Sequence, residues 1–212
     1  MPEEVGLFEA IYTMRAIRRQ RPDVPVTDAQ VRAIIEAGTQ APNGGNSQPV
    51  RYIVVRDQAT KDKVGVLYKD AVRQILIDPS VSGNKAEWHL GDHLADSPVI
   101  IFVYVAPTAD HQGNTRYPTP ASAGMQAFPA VQNMLLACRG LGLGSNLTTA
   151  IDAFHGEELK QILGVPDEVV FGCMLPIGQP VGRHGSKTRR PVEEVTYSEQ
   201  WGEPVAFDLK GA

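Results

Sequence analysis

Apolar positions along the chain follow two different spacings. Where they recur every three or four residues, the spacing predicts amphipathic helices over residues 6–14, 27–38, 58–76 and 155–166. Short continuous apolar runs predict buried strands over residues 51–57, 98–106 and 169–180. The stretches 78–92 and 107–120 are polar and predict loops, the first of them mobile. No repeat or linker divides this series, so we expect a single domain over residues 1–212.

The sequence marks both ends of the second helix. Thr27, followed three residues later by Gln30, has the pattern of a capping box, in which each side chain bonds the other residue's backbone N–H. Gly38 is a typical C-terminal stop, since glycine readily adopts the left-handed conformation found there. We therefore expect this helix to begin after Thr27 and to end at Gly38.

A long apolar helix over residues 122–144 has almost no polar face, and a bend is expected at Pro129. A helix that is apolar all round is buried all round, either in a thick core or in a subunit interface. For a chain of 212 residues we favour the interface. The glycines of "GLGLG" (140–144) follow this helix, and no helix opens directly after them. They therefore predict a helix cap and a tight turn rather than a dinucleotide-binding fingerprint.

Composition restricts the function classes. Hydrophobic residues make up 42% of the chain and charged residues 21%, as in ordinary soluble globular proteins. The net charge of −4 argues against nucleic acid or an anionic membrane as a partner, because both require a basic face. The longest apolar run, residues 98–107, is about half the length that crosses a bilayer, and the acidic N-terminus lacks the apolar core of a signal peptide. We expect a cytoplasmic protein.

Neither the cysteines nor the histidines predict a reactive or metal site. Cys138 and Cys173 lie in apolar runs without the spacing of a metal or redox motif, which predicts buried thiols. His89 and His93 are one helical turn apart, a spacing that zinc sites use, but a third ligand is not evident. We therefore expect no metal.

The stretch "QAPNGGNSQP" (40–49) has the composition of a binding loop. Pro42 and Pro49 restrict the backbone, so less conformational entropy is lost on binding. Gly44 and Gly45 have no Cβ and let a ligand approach the backbone closely. The amide side chains offer both donors and acceptors. A second segment, "GSNLTTA" (144–150), places further small polar residues and backbone N–H groups beside the long helix.

Two basic clusters stand far apart in this acidic chain, "TMRAIRRQRP" (13–22) and "RHGSKTRRP" (183–191). The first is either a solvated helix end or part of an anion site, since guanidinium groups bind phosphate oxygens two at a time. Whether both clusters converge on one phosphate is left open by the sequence.

In their order and spacing, these segments resemble the nitroreductase family of FMN-dependent oxidoreductases. The resemblance runs from "MRAIRR" to "KTRRP" and includes "APNGGNSQPVRYIVV", "AVQNMLLACRGLGLGSNLTT" and "EELKQILGVPDEVVFGCMLPIGQP". It implies an α+β fold with a mixed sheet flanked by helices. It also implies an intertwined homodimer with a long buried central helix and two FMN sites at the interface.

The resemblance implies which basic residues bind FMN. Side chains of both clusters would hold the phosphate and the pyrimidine side of the flavin, namely Arg15, Arg18, Lys187 and Arg189. Ala16 stands at the usual serine of the family. Many members have an arginine at the position of Met14, and Arg19 is the candidate to replace its contact.

The resemblance assigns two further segments to the flavin ring. The loop of the other subunit would line the ring through Pro42, Asn43, Gly44, Asn46 and Gln48. Along the opposite face would lie Leu147, Thr148 and Thr149, with a backbone N–H near Thr149 facing the flavin N5 atom. No side chain is required as an acid or base, because protons can come from water.

The implied reaction is the reduction of electron-poor small molecules, nitroaromatics or quinones, by NAD(P)H. A ping-pong cycle is expected, in which NAD(P)H reduces FMN and leaves before the acceptor binds over the same ring face. Arg18 is the candidate for the positive charge that favours the reduced flavin. Three alternatives stay open: another activity of the same fold, such as dehalogenation or flavin cleavage, a flavin-binding or storage protein without turnover, and an anion-binding interaction module.

Overall fold

The computed structural model describes residues 5–77 and 85–207. Within these ranges the helices are α1 (Leu7–Thr13), α2 (Asp28–Thr39), α3 (Gln58–Ile77), α4 (Lys85–His93), α5 (Pro120–Gly140) and α6 (Ala150–Leu163). The strands are β1 (Gln20–Arg21), β2 (Val50–Val55), β3 (Val99–Val105), β4 (Thr108–Ala109), β5 (Thr115–Arg116), β6 (Gly144–Ser145) and β7 (Val170–Pro180). Short 3-10 helices lie at Gly44–Asn46, Leu94–Asp96 and Val192–Val195. Each strand predicted from a continuous apolar run is present.

The main sheet has the strand order β1–β7–β3–β2, and β6 also pairs with β7. Every pairing between the described strands is antiparallel. The chain therefore has the α+β fold that was expected, but its described sheet is antiparallel where the resemblance implied a mixed one. The reason lies in the connections: α3 and α4 return the chain to the end of the sheet where β2 finished, so β3 runs opposite to β2.

β3 is the central strand, and all of its residues are buried. Its alternate side chains enter two different cores. Ile101 and Val103 pack in the core formed with α2 and α5, and Phe102 packs in the core formed with α3 and α6. Because helices cover both faces of the sheet, this strand has no polar face, which explains its continuous apolar sequence.

The start of α2 is as predicted, but its end is not. Thr27 accepts a hydrogen bond from the Gln30 N–H, and the Gln30 side chain accepts one from the Thr27 N–H, which completes the capping box. The helix continues past Gly38 and ends at Thr39. A Cβ on Gly38 would lie 2.8 Å from the Tyr52 hydroxyl and 2.9 Å from Met134 Cγ. Gly38 therefore serves the close approach of α2 to α5 rather than a helix stop.

α5 is buried on one side only, so the prediction that it is buried all round is wrong for the single chain. Ala127 and Met134 are among its buried residues, whereas Met125 is 72% exposed and Phe128 is 45% exposed. α1 contacts α5 and exposes further apolar side chains at Leu7, Phe8 and Tyr12. We name these five exposed residues the α1/α5 apolar surface. An exposed apolar patch of this kind typically marks an interaction surface, which agrees with the interface alternative for this helix.

The glycines after α5 form the cap and turn that were predicted. The helix continues through Pro129 and ends at Gly140, and Gly142 has a φ of 71°, in the left-handed region that favours glycine. The Leu143 N–H then donates to the Cys138 carbonyl at 2.8 Å. The chain reverses here and enters β6, which brings residues 144–150 beside the sheet.

Three segments differ from the predicted boundaries. Residues 85–93 form α4 rather than a loop, and residues 78–84 of that prediction lie outside the described residues. α6 begins at Ala150 rather than at residue 155, and it is kinked at His155, whose φ of −135° is not helical. The predicted loop 107–120 contains the β4–β5 hairpin. Two of these differences, at 85–93 and 107–120, lie in polar stretches, where apolar spacing carries little signal.

Both cysteines are free and buried, as predicted. Burial raises the pKa of the Cys138 thiol and of the Cys173 thiol to about 12. Both thiols are therefore protonated near neutral pH and are not nucleophiles. None of the helices in the described ranges is long and apolar enough to span a membrane.

Candidate functional site

The N-terminal basic segment is fixed to the sheet by Ile17. This side chain is buried, and its N–H donates to the Ser145 carbonyl at 2.9 Å. Gly144 lies directly against it, since a Cβ there would be 2.6 Å from Ile17 Cγ2. Arg15 and Ala16 are exposed on one side of this anchor, and Arg18 is half-buried on the other. The hydrogen bond to Ser145 therefore places Arg15 and Arg18 beside the beginning of the segment 144–150.

The C-terminal basic segment meets the N-terminal one. The Gly185 N–H donates to the Thr13 carbonyl at 3.3 Å. The Lys187 ammonium donates to the carbonyls of Ile11 and Met14, at the C-terminal end of α1. Burial lowers the pKa of Lys187, and the positive charges of Arg189 and Arg15 lower it further. The structure therefore brings together cations from both ends of the chain.

Two further basic residues lie at this junction and were not identified from the sequence. Arg139 donates to Thr13 Oγ1 at 2.8 Å and pairs with Glu9 at 2.9 Å. His184 Nε2 donates to the Leu143 carbonyl at 3.1 Å. Burial, followed by the charge of Arg139, lowers the pKa of His184. Arg139 is distant from both clusters in sequence, so only the fold could show that it joins them, whereas His184 already lies within the segment 183–191.

A cavity of about 310 Å³ opens beside Arg18. We name it the Arg18 cavity. Its polar side is formed by the residues after β6, and its apolar side by α3. The lining residues are Arg18, Tyr68, Val72, Ile75, Leu76, Asn146, Leu147, Thr148, Thr149 and Ala150. The fold therefore places the predicted residues Leu147, Thr148 and Thr149 around the same space as Arg18.

Tyr68 and Asn146 are members of this cavity that sequence reasoning missed. The Tyr68 hydroxyl lies 3.2 Å from Thr148 Oγ1. Asn146 is 2% exposed, and its Oδ1 has no hydrogen-bond partner among the described residues. In the same part of the chain, the Thr149 N–H has no acceptor among the described residues. A buried polar atom without a partner costs about 1–3 kcal/mol, so this cavity suits a polar ligand.

The loop 40–49 has a constrained backbone. Asn43 Oδ1 accepts the Gln48 N–H at 2.8 Å, which closes the loop on itself. Gly45, Asn46 and Gln48 all have positive φ, at 59°, 52° and 47°. Non-glycine residues adopt this conformation rarely, and it occurs preferentially at functional sites.

The same loop lines two cavities, neither of which is the Arg18 cavity. Pro42, Asn43 and Gln48 line a space of about 260 Å³ beside α5. Gly44 and Gly45 line a space of about 470 Å³ that also contacts the β4–β5 hairpin, which we name the hairpin cavity. Within one chain, the structure thus does not bring the loop and the basic clusters together. This separation is what a site shared between two subunits would require.

Arg19 lies in an adjacent cavity, together with Arg18, His89 and His93. The two imidazole rings stack with their centroids 4.4 Å apart, and His93 Nδ1 pairs with Asp96 at 2.8 Å. Burial, followed by the charge of His93, lowers the pKa of His89. In the described part of the chain, His, Cys, Asp and Glu residues form no group of three or more that could hold a metal ion.

The sequence of this chain matches the model of the nitroreductase family over residues 11–179. The chain belongs to the nitroreductase family. The matched range includes the N-terminal basic segment, the loop 40–49 and the residues of the Arg18 cavity. The C-terminal basic segment follows it.

Curated relatives and solved structures agree with this membership. An NADH dehydrogenase of Thermus thermophilus is 30% identical over 202 residues, which cover 85% of this chain and 90% of the relative. An FMN reductase [NAD(P)H] of Bacillus subtilis is 30% identical over 204 residues, covering 92% of this chain and 74% of the relative. The crystal structure of a Desulfovibrio desulfuricans nitroreductase in complex with FMN is 29% identical, with a TM-score of 0.67 and coverage of 94% of this chain and 99% of that chain.

Proposed function

We propose that this protein is an FMN-dependent oxidoreductase that uses NAD(P)H to reduce electron-poor acceptors such as nitroaromatics and quinones. The observation that carries the proposal is the meeting of Arg15, Lys187 and Arg189, on the segment that also places Arg18 in a cavity. A cluster of positive charges suits a phosphate, and a cavity with one polar and one apolar side suits a flat polar ring. The names of the relatives, an FMN reductase and a nitroreductase in complex with FMN, support the same choice.

The residues present fit FMN in their chemistry. Arg15, Lys187 and Arg189 supply charge-assisted donors for the phosphate dianion. Arg18 supplies a cation for the pyrimidine edge of the ring, which is rich in acceptors. Asn146 Oδ1 requires a donor, and both the pyrimidine N–H and the ribityl hydroxyls are donors. Ala16, which has no polar side chain, would contribute only its backbone.

When bound, FMN supplies a site that accepts hydride from NAD(P)H and passes it to the acceptor. The chain itself orients the cofactor and sets its electrostatic surroundings. Arg18 favours the gain of electrons by the ring, because a fixed positive charge stabilises negative charge that develops nearby. The Thr149 N–H, for which the described residues supply no acceptor, is the candidate donor to N5. The apolar wall of α3 at Val72, Ile75 and Leu76 would shield one side of a bound ring from water.

We further propose that the protein acts as a homodimer. The α1/α5 apolar surface supplies an unpaired apolar face. The loop 40–49 carries the predicted ring contacts but lies apart from the Arg18 cavity of its own chain. Pairing two copies would allow the loop of one protomer to line the flavin held by the basic clusters of its partner.

Steady-state kinetics with NAD(P)H and a quinone or nitroaromatic acceptor both varied would test this function. Parallel double-reciprocal lines are expected, because the two substrates would use the same ring face in turn. Anaerobic NAD(P)H should also bleach the flavin spectrum in the absence of an acceptor. Intersecting lines would contradict a shared site. If the protein retains flavin that NAD(P)H does not bleach, the proposed enzyme activity is contradicted and a flavin-storage role is favoured.

A further inference from the structure

The hairpin cavity combines a wall assigned to the flavin ring with a wall that so far has no role. Its first wall is Gly44, Gly45 and Ser47 of the loop, and Pro49 also lines it. Its second wall is formed by residues 108–111 and 116–118, from the β4–β5 hairpin and the segment after it. The C-terminal end of β3 and the first turns of α5 form the remaining side. A ligand in this cavity would touch the loop and the hairpin together.

The hairpin is a well-defined wall rather than a loose loop. Thr108 pairs with Arg116 across the two strands. At the turn, Asp110 Oδ1 accepts the N–H groups of Gln112 and Asn114, both at 2.9 Å. Gly113 has a φ of 83°, which a side chain would strain. These bonds fix the position from which Arg116 extends.

Arg116 is the cation of this cavity. Its side chain is 71% exposed, and its Nε lies 3.9 Å from Asp110 Oδ2. Asp110 is already committed to the turn, because Asn114 Nδ2 also donates to it at 3.2 Å. Hydrogen bonds from Asn114 lower the pKa of Asp110, so this carboxylate stays ionised and keeps its turn partners. The guanidinium of Arg116 therefore retains donors for another anion.

The remaining lining offers flat and apolar surfaces next to this cation. Tyr117 is 67% exposed, and Pro49 and Pro118 line the same cavity. His111 adds a polar group at the hairpin. An aromatic ring suits the tyrosine and proline surfaces, and a carboxylate on that ring suits the planar donors of a guanidinium.

We propose that Arg116 is a specificity-determining residue that selects planar aromatic acceptors carrying a carboxylate. The guanidinium binds the carboxylate, and the ring of the acceptor lies against the wall formed by the loop. This inference rests on the proposed function, because the loop is the segment assigned to the flavin. It adds the substrate class, which neither the basic clusters nor the Arg18 cavity determines.

The test compares 4-nitrobenzoate with 4-nitrobenzamide, which has the same ring without the charge. Calorimetry on the FMN-loaded protein without NAD(P)H measures both dissociation constants. We expect the wild type to bind the carboxylate about tenfold more tightly, as for one charge-assisted contact. Arg116→Gln should abolish this preference, and Arg116→Lys should keep part of it. Arg32→Gln, on an exposed position of α2, should leave it unchanged.

The same variants are then compared in turnover, where the preference should appear in KM rather than in kcat. A wild type that binds both probes equally, or an Arg116→Gln variant that keeps the preference, overturns the inference. An unchanged preference together with a dissociated dimer also overturns it, since Arg116 would then be an interface residue. A preference in binding without any NAD(P)H-dependent turnover supports the role of Arg116 and contradicts the proposed function.

Discussion

Replacing Arg15 by glutamine is expected to weaken FMN binding by about ten- to a hundredfold and to leave riboflavin binding within about twofold. The two ligands share the flavin ring and the ribityl chain, and they differ in the phosphate. Arg15 lies with Lys187 and Arg189 at the junction of the two basic segments. Loss of one charge-assisted hydrogen bond to an anion costs about 1.5–3 kcal/mol, which sets the size of the effect.

The measurement is the dissociation constant of each ligand, taken from quenching of flavin fluorescence. Arg32→Gln is the matched control, because Arg32 is an exposed arginine of α2 whose nearest carboxylate, Glu36, is 3.9 Å away. This control should change neither constant. Equal losses for FMN and riboflavin in Arg15→Gln would show that Arg15 supports the fold or the ring site rather than the phosphate. If the FMN dissociation constant of Arg15→Gln is unchanged, Arg15 does not belong to the site.

Gly144→Ala is expected to lower the free energy of unfolding by about 1–3 kcal/mol and to weaken FMN binding by about tenfold. The added Cβ would lie 2.6 Å from Ile17 Cγ2 and 2.8 Å from Ile17 Cβ. Rotation of the Ile17 side chain does not move its Cβ, so the backbone must shift. Because the Ile17 N–H is bonded to the Ser145 carbonyl, the shift would displace the segment that carries Arg15 and Arg18.

Gly140→Ala is the control for this prediction. Gly140 ends α5, and a Cβ there would have no heavy atom within 4 Å. Chemical denaturation and FMN titration of both variants give the two quantities. Gly140→Ala should bind FMN like the wild type and should be at least as stable, since alanine favours a helix over glycine by up to about 1 kcal/mol. If Gly144→Ala is as stable as the wild type and binds FMN equally well, the anchoring of the basic segment by Ile17 is wrong.

The regular elements could be predicted because their signals are local. The capping pair Thr27 and Gln30 and the apolar run of β3 need only neighbouring residues to be recognised. Gly38 shows the limit of such signals. From its neighbours in sequence, Gly38 is predicted to end the helix. Its actual role depends on Met134, almost a hundred positions away, which packs where a Cβ of residue 38 would lie.

The candidate site could be predicted only as separate segments. The charges of Arg15 and Lys187 are evident in the sequence, but their approach depends on the folding of residues 183–189 onto the end of α1. Asn146 is a polar residue in a short polar segment, and its orphaned Oδ1 becomes visible only when its burial is known. The position of Arg116 depends on the β4–β5 hairpin, which apolar spacing could not predict.

We propose that one flavin site combines the basic clusters of one protomer with the loop 40–49 of its partner. Two variants separate these halves: Arg15→Gln impairs the clusters, and Asn43→Leu removes the acceptor that holds the Gln48 N–H and so disturbs the loop. Each homodimer should bind FMN weakly at both sites. In a mixed dimer, the intact clusters of one chain would face the intact loop of the other.

The decisive measurement is the FMN stoichiometry of this mixed dimer, purified by two different tags and titrated near the wild-type dissociation constant. We expect one site per dimer with wild-type affinity, while the second site, which carries both changes, stays empty. Absence of any restored site would contradict the shared architecture and place all FMN contacts within a single chain.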